Sequence, residues 1–255
     1  MSLEKTEALV IRQADWSESS RVVTFFTRDF GKVAVIAKGA KRLKSSFEVA
    51  LDLLTTCRIV FVRKSSSALD ILTEAKLQQR FKPRSGDIRS LYCGYFVAEL
   101  LDGLSEAYDP HPQLYDEAQA TLNVFAGNGP LELAMLRFEL VVLREIGQLP
   151  NFHECVVCGE PAVADVAFDF KVSQGGLVCQ RCQAAQSHAN PDRIHAGSLA
   201  ILRSLSGEAD EDGAGSASGT PTASPAQLRE IRRVVTAAIC HALGRRPRML
   251  NYLPF

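Results

Sequence analysis

Four cysteines stand in two pairs, Cys155-x2-Cys158 and Cys179-x2-Cys182, with 20 residues between the pairs. A two-residue gap lets both sulfurs of a pair reach one ion from a single tight turn, and Gly159 relieves crowding where the backbone curls back. Four thiolates in a tetrahedral array favour Zn2+ and leave no open position for a substrate, so the expected role is structural. An iron–sulfur cluster takes the same ligands and stays an alternative. His153 and His188 flank the pairs as further donors, although four sulfurs already complete a tetrahedron. Cys57, Cys93 and Cys240 are scattered in apolar surroundings, the pattern of buried thiols and not of a disulfide framework.

Catalysis at such a metal needs other residues. His153-Glu154 runs on into Cys155, Val156 and Val157, not into the x-x-His of a zinc-protease helix. A deaminase needs His-x-Glu and a proline before a cysteine pair, whereas Glu154 precedes Cys155 and Val178 precedes Cys179. The only Gly-Lys is Gly31-Lys32, followed by Val33, so no Walker A loop is present. The expectation is a protein that is not an enzyme.

Basic side chains supply the second kind of chemistry. Between Phe30 and Phe47 stand Lys32, Lys38, Lys41, Arg42 and Lys44, with Gly39-Ala40 among them and no acidic residue. The run can track a phosphate chain, or it can be a solvated loop. Phe25, Phe26, Phe30 and Phe47 can supply stacking or core. Arg245-Arg246-Pro247-Arg248 forms a second cluster near the end of the chain. The chain is neutral as a whole, yet residues 1–80 carry 14 Lys/Arg against 9 Asp/Glu, and 226–255 carry 6 against 1. Residues 81–225 are acidic, with 9 against 19, so a local positive surface can exist on a neutral molecule.

The elements that must position these groups follow from periodicity. Five β segments are predicted at 7–13, 21–27, 32–38, 56–62 and 68–75, with a turn at Asp29-Phe30-Gly31 and another at 64–67. Five short strands with a longer connection near 43–53 suit an OB-fold barrel, an SH3-like barrel being the rival. Beyond Pro83 the period becomes helical. Asp87 is the predicted N-cap of a helix bearing Ile88, Leu91, Tyr92, Tyr95, Phe96 and Leu100. A second helix carries Leu114, Ala118, Leu122 and Phe125, and a third carries Leu133, Leu136, Leu140 and Leu143. Residues 163–170 and 171–178 are predicted to form a hairpin turned at Gln174-Gly175-Gly176. Helices are expected near 196–204 and 226–243, separated by a Gly/Ser/Ala/Pro-rich, acidic stretch at 206–225 that reads as a disordered linker.

The expected class is therefore α+β: an OB-fold at 1–80, a helical domain at 81–150, a four-cysteine zinc module at 151–190, and C-terminal helices at 191–255 packing on the helical domain. No apolar run approaches the ~18 residues of a membrane helix. Met1-Ser2-Leu3-Glu4-Lys5 is charged where a signal peptide is apolar, so a soluble cytoplasmic protein is expected.

Several of these motifs together resemble a known family. Residues 24–32 (Thr-Phe-Phe-Thr-Arg-Asp-Phe-Gly-Lys) and Ala37-Lys38-Gly39-Ala40-Lys41-Arg42 are similar to the N-terminal signature of the RecO DNA-repair proteins. Leu72-Thr73-Glu74-Ala75, Glu139-Leu140, Gly147-Gln148-Leu149-Pro150, the cysteine quartet and Gly244-Arg245-Arg246 are similar to later parts of the same family. The resemblance implies binding of single- and double-stranded DNA and annealing of complementary strands. It also implies work with RecR, and sometimes RecF, to help RecA replace single-stranded DNA-binding protein (SSB) on gapped DNA, with recognition of the acidic SSB C-terminal tail. Such a protein would associate with the nucleoid. Carried onto this chain, Lys38, Lys41 and Arg42 would bind the DNA backbone; Lys32, Lys44, Arg245, Arg246 and Arg248 are added from charge. An RNA-binding or transcription-linked zinc protein, and a pure protein adaptor, are the alternatives.

Overall fold

The computed structural model describes residues 2–42, 45, 47, 49–64, 69–163, 167–184, 192–207 and 222–253. Its contacts divide the chain into two units, Met1–Ala134 with Pro247–Pro254, and Met135–Arg246.

The first unit is built on five strands, β1 (Ser2–Asp15), β2 (Arg21–Thr27), β3 (Gly31–Ala37), β4 (Thr55–Arg63) and β5 (Asp70–Arg80). They close into a barrel in the order β1-β2-β3-β5-β4, antiparallel except where Val35 and Ile36 of β3 pair in parallel with Asp70 and Ile71 of β5. This is the OB-like arrangement, and the SH3-like alternative falls away. Alternation does the local work: Val33, Val35 and Ala37 of β3 and Cys57, Ile59 and Phe61 of β4 point inward, their neighbours outward. Gly31 closes the β2–β3 turn with φ of 64°, and a Cβ there would lie 1.9 Å from the Asp109 carbonyl oxygen. Only glycine fits both demands.

β1 departs from simple alternation, because Ala8, Leu9, Val10 and Ile11 are all buried. A bulge lies between Val10 and Arg12, and the outer face is covered by α1 (Ile88–Leu104). α2 (Pro112–Ala126) covers β2, where Tyr115 stacks on Phe26 with ring centroids 6.4 Å apart. Asp87 caps α1 as predicted, accepting a hydrogen bond from the Arg89 N–H. The buried stripe of α1 is Cys93, Phe96, Val97, Leu100 and Leu101, whereas Ile88 is 59% exposed. The apolar run is wider than one face, so the barrel and not the spacing selects which side goes inward. A 3-10 turn, Arg248–Asn251, packs on α1, and Tyr252 meets Tyr92 at 5.6 Å.

The stretch expected to form one helical domain at 81–150 is thus shared between units. α1 and α2 are spent covering the barrel, and the division falls within α3 (Leu131–Glu145). The physical reason is the apolar outer face of β1 and β2, which cannot face water.

The second unit contains a four-stranded sheet, β6 (Asn151–Cys155), β7 (Phe168–Lys171), β8 (Gly176–Val178) and β9 (Asp192–Ile194), in the order β6-β8-β7-β9. β7 and β8 form the predicted hairpin, shorter than expected, around a 3-10 turn at Val172–Gln174 and Gly175. The outer strands β6 and β9 carry no alternation that a sequence reading could use. α4 (Gln180–Ala184), α5 (Ala196–Ser206) and α6 (Pro225–Leu243) complete the unit. α5 runs to Ser206 and α6 begins at Pro225, capped by Ser224 in a capping box with Gln227, so helix reaches both ends of the expected linker. Residues 208–221 of that linker lie outside the described residues.

Arg232 of α6 donates to the Glu139 carboxylate of α3 at 2.5 Å, with both side chains buried. Burial raises the Glu139 pKa more than the attraction of Arg232 lowers it. Arg232→Met is therefore expected to destabilise the protein by about 3–5 kcal/mol, since it leaves a buried acid without its cation. Adding Glu139→Gln should recover much of that loss. Equal unfolding midpoints in denaturant for wild type and Arg232→Met would refute the assignment.

Candidate metal centre and candidate nucleic-acid interface

The sulfurs of Cys155, Cys158, Cys179 and Cys182 all lie within 4.8 Å of one another, and none of these cysteines is in a disulfide. Each pair is held by its own backbone device. Cys155 ends β6, and its carbonyl accepts the Gly159 N–H at 2.8 Å, with Gly159 at φ of 71°. That knuckle turns the chain through a left-handed position that a side chain would strain. The second pair brackets the start of α4, where the Gln183 N–H reaches the Cys179 carbonyl at 2.9 Å. The β6–β8 pairing, Cys155 beside Leu177, brings the two knuckles together. Arg203 of α5 fastens the first from behind, donating to the Phe152 and Ala162 carbonyls at 2.8–3.1 Å. Arg181 pairs with Glu160 across the two turns at 2.7 Å.

The electrostatics suit a cation. Burial alone would push the Cys155 thiol up, but N–H donors from Cys179, Cys158 and Val157 bring its pKa down to about 6. The neighbouring thiols Cys158 and Cys179 push Cys182 up to about 12, since without a metal the sulfurs compete for negative charge. The cluster can hold one metal ion. Among the described residues it is a set of four sulfurs, without His153; His188 lies outside the described residues.

In the barrel unit, Lys38, Lys41 and Arg42 leave β3 on an exposed turn. The turn is tied to the β1–β2 connection: the Lys41 N–H donates to the Ser19 carbonyl at 3.1 Å, and Lys41 Nζ to Asp15 at 2.9 Å. Arg21 also donates to Asp15, at 3.2 Å. Chiefly through the Lys41 hydrogen bond, the Asp15 carboxyl is held below its usual range. Its negative charge is thus matched twice over. Among the described residues, neither Lys38 nor Arg42 has an ion pair.

Two family models match successive parts of the chain and divide it after the barrel strands, not within α3. The model of the recombination protein O N-terminal domain matches residues 1–81, and that of its C-terminal domain matches residues 85–250. The chain is 35% identical to the DNA repair protein RecO of Rhodopirellula baltica, over 97% of each chain. The chain belongs to the RecO family. It is also 34% identical to the DNA repair protein RecO of Anaeromyxobacter dehalogenans, over 96% of this chain and 94% of the relative. A relative of the same name from Listeria monocytogenes is 34% identical over 71% of this chain.

On this RecO chain the remaining basic residues have different surroundings. Lys32 is half-buried, and its ammonium donates to the Asp102 carbonyl at 2.6 Å in the last turn of α1, a cation at a helix C-terminus. Lys44 lies outside the described residues. Arg245 and Arg246 are exposed after the Gly244 cap of α6 and belong to the second unit. Arg248 belongs to the first, where its N–H and that of Met249 donate to Glu99 at 2.8 and 2.9 Å. Phe25, Phe26 and Phe47 are core, and Phe30 packs edge-on against Phe61. Among the described residues, no helix is long and apolar enough to cross a membrane. Sequence reading passed over Trp16, which is 62% exposed in the β1–β2 connection. Its signal was faint: one aromatic in a polar turn between two strands.

Proposed function

We infer that this RecO chain binds single- and double-stranded DNA through its barrel and anneals complementary strands. With RecR, and in some settings RecF, it helps load RecA onto gapped DNA coated by SSB, whose acidic C-terminal tail it recognises. The work is physical and the chain catalyses no covalent step; it takes place in the cytoplasm at the nucleoid. Annealing needs two polyanions brought close with charge neutralised and neither held by base-specific contacts that would block pairing. The observation that carries this reading is the exposed turn of Lys38 and Arg42, which have no ion pair among the described residues, on an OB-like rim.

The metal in this reading is Zn2+ with a structural role. Metal–sulfur bonds of ~2.3 Å in a tetrahedron put sulfurs about 3.8 Å apart, and Cys158 and Cys179 Sγ lie 3.7 Å apart. A bound zinc would stabilise the thiolates and clamp the two knuckles.

The test is a strand-annealing assay with complementary oligonucleotides, bare and coated with SSB, with and without RecR. The expected result is acceleration of both reactions, with RecR raising RecA loading on the coated strand. Annealing no faster than the uncatalysed rate would overturn the reading.

A further inference from the structure

The β1–β2 connection holds the only tryptophan of the chain. An isolated exposed apolar residue needs no explanation by itself. Trp16 differs because its loop is fixed and is hydrogen-bonded to a basic turn. Its N–H and that of Ser17 both donate to the Ser20 carbonyl, at 3.1 and 3.2 Å, and Ser20 N–H returns to Ser17 Oγ at 3.2 Å. The Lys41 N–H on the Ser19 carbonyl binds this loop to the basic turn. Across the sheet, Asp15 pairs with Arg21 and Arg21 with Ala37, so Trp16 and Lys38 each continue from the end of one three-strand row. Two strand spacings make that row roughly 10 Å wide, a distance that neighbouring nucleotides of one strand can bridge. Asp15, at the start of the connection, is held by Arg21 and Lys41 and so is matched by cation, while Glu18, two residues beyond Trp16, is exposed.

We propose that Trp16 is a stacking platform for an unpaired nucleobase of a single strand whose phosphates lie on Lys38 and Arg42. An indole face accepts any base without reading its edge, which suits a protein that must leave the pairing edge free. An exposed aromatic in an ordered loop, beside exposed cations without ion pairs among the described residues, makes a polyanion carrying flat bases the fitting ligand, rather than a polyanion alone. The proposal rests on the DNA-binding reading above, and its test separates the two.

Intrinsic fluorescence excited at the red edge, where the five tyrosines do not absorb, reports Trp16 alone, because no other tryptophan contributes. The full chain is titrated with a short thymidine oligomer and with an abasic oligomer of the same length, binding being read in parallel from the anisotropy of an end label. The thymidine oligomer is expected to quench the emission strongly, while the abasic oligomer binds with little quenching. Trp16→Ala should weaken thymidine-oligomer binding about 5–100-fold and leave abasic binding unchanged, with Trp16→Phe retaining most of the affinity. Binding without quenching, equal quenching by both oligomers, or unchanged affinity in Trp16→Ala would overturn the stacking role and leave the DNA-binding reading standing. Failure of wild type to bind either oligomer would overturn both.

Discussion

Lys38→Glu combined with Arg42→Glu is expected to keep the fold and lose single-strand affinity by about 100-fold at low salt. Each reversal removes one attraction to phosphate and adds one repulsion, each about 1 kcal/mol at 4 Å in water before screening. The two positions can be changed without disturbing the barrel, because both side chains are exposed and neither has an ion pair among the described residues. Lys41 is a poorer choice. Its ammonium bridges Asp15 and the Ser17 carbonyl, so Lys41→Glu would set two carboxylates together and loosen the loop as well as the ligand. Lys32 is poorer still, since its ammonium sits on the end of α1. The decisive measurement is affinity against salt. Loss of two phosphate contacts should flatten the log–log slope by about 1.4 for single strands. A double variant with wild-type affinity and slope would remove this turn from the interface.

Stripping the metal, or replacing Cys158 and Cys182 with serine, should melt the knuckles and α4 and lower the unfolding midpoint of the second unit by about 10 °C or more. Strands β7 and β8 have only 4 and 3 residues, too few to order a sheet without a clamp. Zinc contributes roughly 10–16 kcal/mol to isolated finger peptides. The loss here should be smaller, because Phe152 and Phe170 stack at 6.3 Å and Arg203 holds the Phe152 carbonyl of β6, contacts that need no metal. Metal analysis should find one zinc per chain, and circular dichroism should follow the melt. A chain that is metal-free as purified and loses no stability in chelator would refute the structural role. DNA binding by the barrel unit should survive chelation, which separates this result from the first.

Much of both sites could be read from local pattern. The cysteine spacing is local chemistry, and the structure brings all four sulfurs within reach of one ion. The strands Arg21–Thr27 and Gly31–Ala37, the latter one residue off its expected range, and the Asp87 cap follow from alternation and capping, which act over a few residues. Other features had no local signal. β6 and β9 are strands only because β8 and β7 offer them hydrogen bonds. The pairing of Glu139 with Arg232, 93 residues apart, joins two residues that each read as a helix-surface charge.

Sequence by itself determined most element types, the OB-like class, the four-cysteine cluster and the family, because periodicity, cysteine spacing and motif similarity are properties of the chain order. Tertiary structure alone decided which face of α1 is buried, which of the basic residues has no ion pair among the described residues, and that Trp16 and Lys38 follow the ends of neighbouring strand rows. Those outcomes depend on neighbours distant in sequence, Asp102 for Lys32 and Asp15 for Lys41, whose packing and hydrogen bonds consume some charges and leave others exposed.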